Sequence, residues 1–263
     1  MNPDLYLCPS PDGLPLADLN PTGGMTAILR RIGCVGDSLS SGELETCNAQ
    51  GRVVWLDLYE HSWGQYLARM TGATVYNFSK GGMTAQEYCE SFADSRNFWD
   101  PKLACDAYIL ALGVNDLYAR GQPLGSAADV CLADPAQNRP TFAGWFGRIV
   151  QRLRGIQPEA KFFFVTMPRR EADETSARRD GHAALMYDLA GLFGNAYVID
   201  LRRYAPPHDA AFRARYYGGS HLNAMGYYLT ALQIGSYIDW IIRRNPSDFR
   251  SCGLAGLPYA LVE

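Results

Sequence analysis

Five short apolar runs, separated by stretches with apolar residues at helical spacing, limit what this 263-residue chain can fold into. The runs are Ile32 to Val35, Thr74 to Phe78, Ala107 to Leu112, Lys161 to Thr166 and Ala196 to Ile199. Each is rich in β-branched, aliphatic or aromatic residues, as a strand buried on both faces should be. Between them, Trp63, Tyr66, Leu67 and Met70 fall at i, i+3, i+4 and i+7. A second stripe joins Phe142, Trp145, Phe146, Ile149, Val150 and Leu153, and a third joins Leu185, Leu189, Leu192 and Phe193. The last runs from Met225, Tyr228, Leu229 and Leu232 to Ile238, Ile241 and Ile242. Such stripes are helix faces that pack on a core. Buried strands alternating with amphipathic helices predict an α/β fold, a parallel sheet covered on both sides. Five strands fit a doubly wound, flavodoxin-like order. Residues 1–30 are rich in Pro, Gly, Asp and Leu without a period and read as an irregular N-terminal arm. Residues 31–244 form the main domain, and 245–263 a C-terminal tail packed on it.

Composition narrows the function. A hydrophobic fraction of 48% with 19% charged residues suits a sizeable core. The net charge of -3, with no Lys/Arg-rich run, gives no reason to expect nucleic acid. No segment approaches the roughly 20 apolar residues that a membrane helix requires. The Met1-Asn2-Pro3-Asp4-Leu5 start has no signal-peptide pattern, so a cytoplasmic location is expected. The seven cysteines are scattered without a CxxC pair, so neither a metal nor a redox site is expected. Cys34 and Cys105 lie in or beside strand-like runs and read as core fillers.

In doubly wound folds, ligands bind at the carboxyl ends of the strands. That rule gathers Ser38, the Asn77 to Gly82 segment, Gly113 with Asn115 and Asp116, Arg169 with Arg170, and Asp200 on one rim. Ser38 stands in Gly36-Asp37-Ser38-Leu39, directly after the first run. A serine needs a neighbouring base to act as a nucleophile. His221, in Gly218-Gly219-Ser220-His221-Leu222-Asn223 before the last helix, should reach the same rim. His61, His182 and His208 read as structural. An oxyanion would need donors, and the Asn115 amide, the Gly82 N–H and the Ser38 N–H could supply them, although taken alone Asn115 and the Gly81-Gly82 pair read as turn residues.

These segments, in this order, resemble the conserved blocks of the SGNH (GDSL-type) hydrolase superfamily. Gly36-Asp37-Ser38-Leu39 looks like the first block, Asn77 through Gly82 and Thr84 the second, Gly113-Val114-Asn115-Asp116 the third, and His221 the last. The resemblance covers roughly residues 31–244. It implies a flavodoxin-like three-layer α/β/α sandwich with a five-stranded parallel sheet. It also implies cofactor-free ester or thioester hydrolysis, with Ser38, Gly82, Asn115 and His221 as catalytic residues. The segment is not a GxSxG elbow, because Gly36-Asp37-Ser38-Leu39-Ser40 lacks the second glycine. One position departs from the pattern. The family usually carries an aspartate three residues before the histidine, and here that residue is Gly218. A backbone carbonyl could orient the imidazole instead, or Asp209 or Asp200 could reach it, or activity could have given way to binding. A carbonyl fits best, because it only accepts and so enforces the right tautomer.

The segments 42–60 and 117–140 are expected to wall the cleft. The Arg202, Arg203, Tyr204, Arg213, Arg215, Tyr216 and Tyr217 region suits sugars or anions. Asp37, Tyr118 and Arg169 are expected to touch substrate. With no lid or membrane-binding helix evident, the expected partner is a small-molecule ester, such as an O-acetylated sugar. A non-catalytic carbohydrate-binding protein and an acyltransferase using the same acyl-enzyme remain alternatives.

Overall fold

The computed structural model describes residues 7, 12–170 and 176–259. In chain order, β1 (Arg31–Gly36) runs into a single helical turn, α1 (Ser38–Ser41). A hairpin of β2 (Glu43–Cys47) and β3 (Val53–Asp57) follows, then α2 (Trp63–Thr71) and β4 (Thr74–Asn77). Helix α3 (85–95), with a π-helical middle at Tyr88–Phe92, leads to β5 (Ala107–Ala111). Then come α4 (Phe142–Ile156), β6 (Lys161–Val165), α5 (Ser176–Phe193) and β7 (Ala196–Ile199). The chain closes with α6 (Leu201–Tyr204), α7 (Ala210–Tyr216), the short pair β8 (Tyr217–Gly218) and β9 (His221–Leu222), and α8 (Ala224–Arg244).

The central sheet has the order β4-β1-β5-β6-β7, and every pairing in it is parallel. Numbering only its own strands, that is 2-1-3-4-5, the flavodoxin-like order. All five expected strands form, each within a residue or two of its sequence limits. The sheet is buried on both faces because successive side chains alternate. Phe162 and Phe164 enter one core with Tyr108, Leu110, Phe146 and Leu189. Phe163 and Val165 enter the other with Ile32, Leu67, Ile234 and Ile238. Helices α3, α4 and α5 cover the first face, and α2 and α8 the second. Cys34 and Cys105 are buried core residues, as expected.

Residues 12–30 lie along α8. The Met25 N–H donates to Asp239 at 2.6 Å, the Thr26 hydroxyl to the Gly235 carbonyl at 2.8 Å, and the Trp240 indole to the Gly13 carbonyl at 2.8 Å. In the described part of the tail, Phe249 is buried and stacks on Tyr197 and Phe163. The rest of the expected arm and tail (1–6, 8–11 and 260–263) lies outside the described residues, as does Cys8. Among the described residues, no helix is long and apolar enough to cross a membrane.

The hairpin β2–β3 has no counterpart in the sequence reading, which expected only a cleft wall there. It forms a separate two-stranded antiparallel sheet. It packs against β8 and β9, and so lies over the carboxyl rim of the main sheet.

Candidate active site

Strand β1 ends at Gly36, and Asp37 turns the chain into α1 with Ser38 as its first residue. The Asp37 carboxylate accepts from the Leu39 N–H at 3.0 Å, a side-chain cap that fixes the turn. Glycine is required at 36 because a Cβ there would overlap the Ser40 hydroxyl. Ser38 is half-buried at the rim. Its N–H opens the helix, where amides lack intrahelical acceptors.

The next two loops are sewn to this turn by hydrogen bonds. The Phe78 N–H and the Ser79 hydroxyl both donate to the Cys34 carbonyl at 2.8 Å. The chain then turns at exposed Gly82, with φ +72°, a conformation that favours glycine, and a Cβ there would meet nothing within 4 Å. Asn115 starts a π-helical turn after β5, and its amide donates to the Met83 carbonyl at 3.1 Å. The Asp116 carboxylate accepts from the Ala85 N–H at 2.8 Å. Gly82 and Asn115 are thereby held side by side.

His221 arrives from the far end of the chain. It stands on β9, which packs against α1, so Ser38 and His221 sit on touching elements. The Tyr227 hydroxyl ties the two regions, donating to the Glu43 carbonyl at 2.6 Å and lying 3.3 Å from that of Ser38. Residues 34–229, which include all four of these positions, match the model of the GDSL-like lipase/acylhydrolase family.

The chain belongs to that family. Its fold is similar to that of a Lactobacillus plantarum protein, at 21% identity over 81% of this chain and 97% of that one, with TM-score 0.59. It is also similar to a family two carbohydrate esterase from Clostridium thermocellum solved with cellohexaose, at 16% identity over 83% and 65% of the two chains, TM-score 0.56. A possible lipase from Chitinophaga pinensis gives 18% identity over 83% and 99%, TM-score 0.54. At these identities the likeness shows the fold. No curated protein matches this chain.

Within this GDSL-family site, the immediate partner of the histidine is a carboxylate that sequence reasoning missed. His221 Nε2 lies 3.0 Å from Glu43 Oε1, and both side chains are largely buried. The other edge of the same carboxylate lies against Gly81, where a Cβ would overlap it. Glu43 thus fills the space between the histidine and the Gly81–Gly82 turn. Burial raises its pKa, and the charges of Asp57 and Glu45 add to that, while His221 opposes it. A 3.0 Å contact between Nε2 and a carboxylate oxygen needs a shared proton, so in this state Nε2 is not a free base. Among the described residues, the Ser38 hydroxyl makes no hydrogen bond.

The expectation for the other face of the imidazole needs correction. The hydrogen-bond partner of His221 Nδ1 is not a carbonyl but the Ser220 hydroxyl, 2.9 Å away. Asp200 and Asp209 do not serve either. Asp200 caps α6 through the Arg203 N–H at 3.0 Å, and Asp209 caps α7 through the Phe212 N–H at 2.8 Å. The expectation that Asp37 touches substrate is corrected too, because it is only 4% exposed and holds the turn at Ser38 from inside. Tyr118 lies beneath the guanidinium groups of Arg178 and Arg179, and exposed Arg169 donates to the Ala205 carbonyl at 3.3 Å.

Much of the Arg/Tyr-rich region is engaged within the protein. Arg202 pairs with Asp180 at 2.8 Å, and Arg213 lies over the Tyr217 ring. The other histidines make contacts within the protein. His182 is buried against Phe142 with Nε2 3.1 Å from the Leu112 carbonyl, and burial lowers its pKa to about 4. His208 stacks on Phe212 and bonds the Tyr217 hydroxyl, and His61 bonds that of Tyr66. An apolar cavity of about 70 Å³ lies beneath α1, lined by residues such as Leu39, Trp63, Met167 and Ile234. Ser38, Gly82, Asn115 and His221 do not line it.

Burial pushes the Asp37 carboxyl up to about 7, and that of Asp116 to about 6. The unfolded chain would lose the Asp37 proton near pH 4, while the folded chain keeps it to about pH 7. The folded state therefore binds more protons in that window, and stability falls as pH rises through it. A difference of about three pH units corresponds to roughly 4 kcal/mol. Asn in place of Asp keeps the cap and carries no charge. Asp37→Asn is expected to flatten this fall, with Asp116 supplying what remains. Thermal unfolding of both proteins at pH 5 and pH 8 reads the difference, and equal slopes would refute it.

Proposed function

We propose that this protein is a serine esterase for small acyl esters, with Ser38 as nucleophile and His221 as base. The observation that supports it most is the stitching of three separate loops around Ser38, with His221 on a strand packed against the same helical turn. In this reading the Ser38 hydroxyl gives its proton to His221 Nε2 as its oxygen attacks the ester carbonyl. The oxyanion takes hydrogen bonds from the Ser38 N–H, the Gly82 N–H and the Asn115 amide. The imidazolium then protonates the leaving alcohol, and water hydrolyses the acyl-enzyme by the same route in reverse. Glu43 must release Nε2 and leave the turn at Gly81 before attack, so substrate entry displaces it.

Covalent labelling tests this. An organophosphonate is expected to modify Ser38 with loss of activity toward p-nitrophenyl acetate. If the protein stays unmodified while a control esterase reacts, the esterase reading is lost. The pairing of Glu43 with His221 favours a second reading, a silent carbohydrate-binding protein, which that outcome would support. Hydrolysis and acyl transfer share the acyl-enzyme, and product analysis with an added acceptor alcohol separates them.

The hairpin suggests the substrate class. Trp55 pairs with Glu45 across β2–β3, so the two side chains share a face, and the indole is 55% exposed. A flat, exposed aromatic beside a catalytic cleft suits stacking on a sugar ring. Trp55→Ala is expected to raise KM for an O-acetylated glycoside about tenfold, which is about 1.4 kcal/mol, with kcat nearly unchanged. Ethyl acetate hydrolysis should not respond. An equal loss on both substrates would remove the sugar assignment.

A further inference from the structure

Strand β2 brings a second carboxylate to His221, on the side of the ring away from Glu43. Glu45 follows Glu43 by two residues and so shares its strand face. Its Oε2 accepts from the Ser220 N–H at 2.7 Å and from the Ser220 hydroxyl at 2.5 Å. The same oxygen lies 3.8 Å from His221 Nδ1. Directionality follows from proton count. The Ser220 hydroxyl has one proton, and an ionised carboxylate can only accept, so that proton goes to Glu45. The Ser220 oxygen is then the acceptor for the His221 Nδ1–H, at 2.9 Å. Once Glu43 has released it, this tautomer leaves Nε2 as the nitrogen able to take a proton. The bonds from the Ser220 hydroxyl and N–H hold the Glu45 carboxyl below its usual range, so it is charged at neutral pH. Glu45 also lies so close to Gly219 that a Cβ there would overlap its carboxylate.

We propose that Glu45, acting through the Ser220 hydroxyl, is the positioning residue that orients His221 and stabilises its protonated form during ester hydrolysis. The proposal rests on the serine-esterase reading above. Glu45 touches no reacting atom. When Ser38 attacks, its hydroxyl proton goes to Nε2 and later to the leaving alcohol, and Glu45 stays ionised throughout. The carboxylate that the Gly218 position lacks is thus supplied from a hairpin far away in sequence.

Glu45→Gln keeps the shape and removes the charge. It is expected to lower kcat about 10- to 100-fold, with KM within about twofold, because charge support for the imidazolium is lost. The acid limb of the kcat/KM profile should also move to lower pH, because the protonated ring loses a negative neighbour. Other titratable or charged groups face this pair: Glu43 at Nε2, Asp57 and Asp37 behind it, and Arg213 on the Gly219 carbonyl. All are kept in the variant, so the shift reports Glu45. Ser220→Ala, at an exposed position, removes the relay and should lower kcat in the same direction. Gly218→Asp in the Glu45→Gln background is a rescue. Gly218 pairs with His221 across β8–β9, and a Cβ there meets its nearest neighbour at 3.7 Å, an ordinary contact. Recovery of about tenfold or more supports the proposal. Unchanged kcat and acid limb in a folded, phosphonate-reactive Glu45→Gln protein would overturn it while leaving the esterase reading intact. A wild-type protein with neither turnover nor labelling would remove both.

Discussion

Ser38→Ala is expected to abolish ester hydrolysis, with a fall in kcat on the order of 10⁶, and His221→Ala should cost about as much. In the proposed mechanism the serine oxygen forms the bond to the acyl carbon. The base matters only because the nucleophile must lose its proton as it attacks. In that mechanism the two residues act as one unit, so the double variant should be scarcely slower than either single one. What rate remains comes from the oxyanion donors and from binding. Both variants should fold, because the Ser38 hydroxyl carries no hydrogen bond among the described residues and His221 sits at the rim rather than in a core. Turnover of p-nitrophenyl acetate, with circular dichroism as a folding control, reads the result. A Ser38→Ala protein retaining a tenth of the activity would exclude Ser38 as nucleophile.

Asn115→Ala comes next in size, with kcat lower by about 10²- to 10³-fold. The amide is useful because it is already aimed. One of its N–H groups is spent on the Met83 carbonyl, which holds the side chain beside Gly82, and in the proposed mechanism the second N–H meets the developing negative charge. That interaction strengthens as the carbonyl becomes an oxyanion, so the loss should fall on kcat and leave KM within a fewfold. A change confined to KM would make Asn115 a substrate-binding residue instead. The Met83 carbonyl also loses a partner, so a thermal unfolding midpoint is needed beside the kinetics.

The strands were legible because burial on both faces leaves a local mark. Phe162, Phe163 and Phe164 can all be apolar only where alternate side chains both meet a core, and the two clusters divide them that way. The helical stripes were legible for the same reason, at a different period. Ser38, Gly82, Asn115 and His221 were named because strand ends and loops mark the rim of such a sheet. The hairpin was not legible. Glu43 and Glu45 alternate on β2, but charged residues at that spacing read as a solvated edge, and Val53, Trp55 and Leu56 on the partner strand are indeed exposed. Asp200 and Asp209 attracted attention as acids near His221 in sequence, yet each is spent on the first turn of its own helix.

The sequence by itself determined the sheet, its helical covers and the four residues on its rim, because each depends on short-range pattern and on strand ends. Only the tertiary structure decided what surrounds His221. Glu45 bonds Ser220 across 175 positions of the chain, and Glu43 meets Nε2 in the same way. No local periodicity records a contact of that kind. It exists because β2 packs against β9 over the carboxyl end of the sheet.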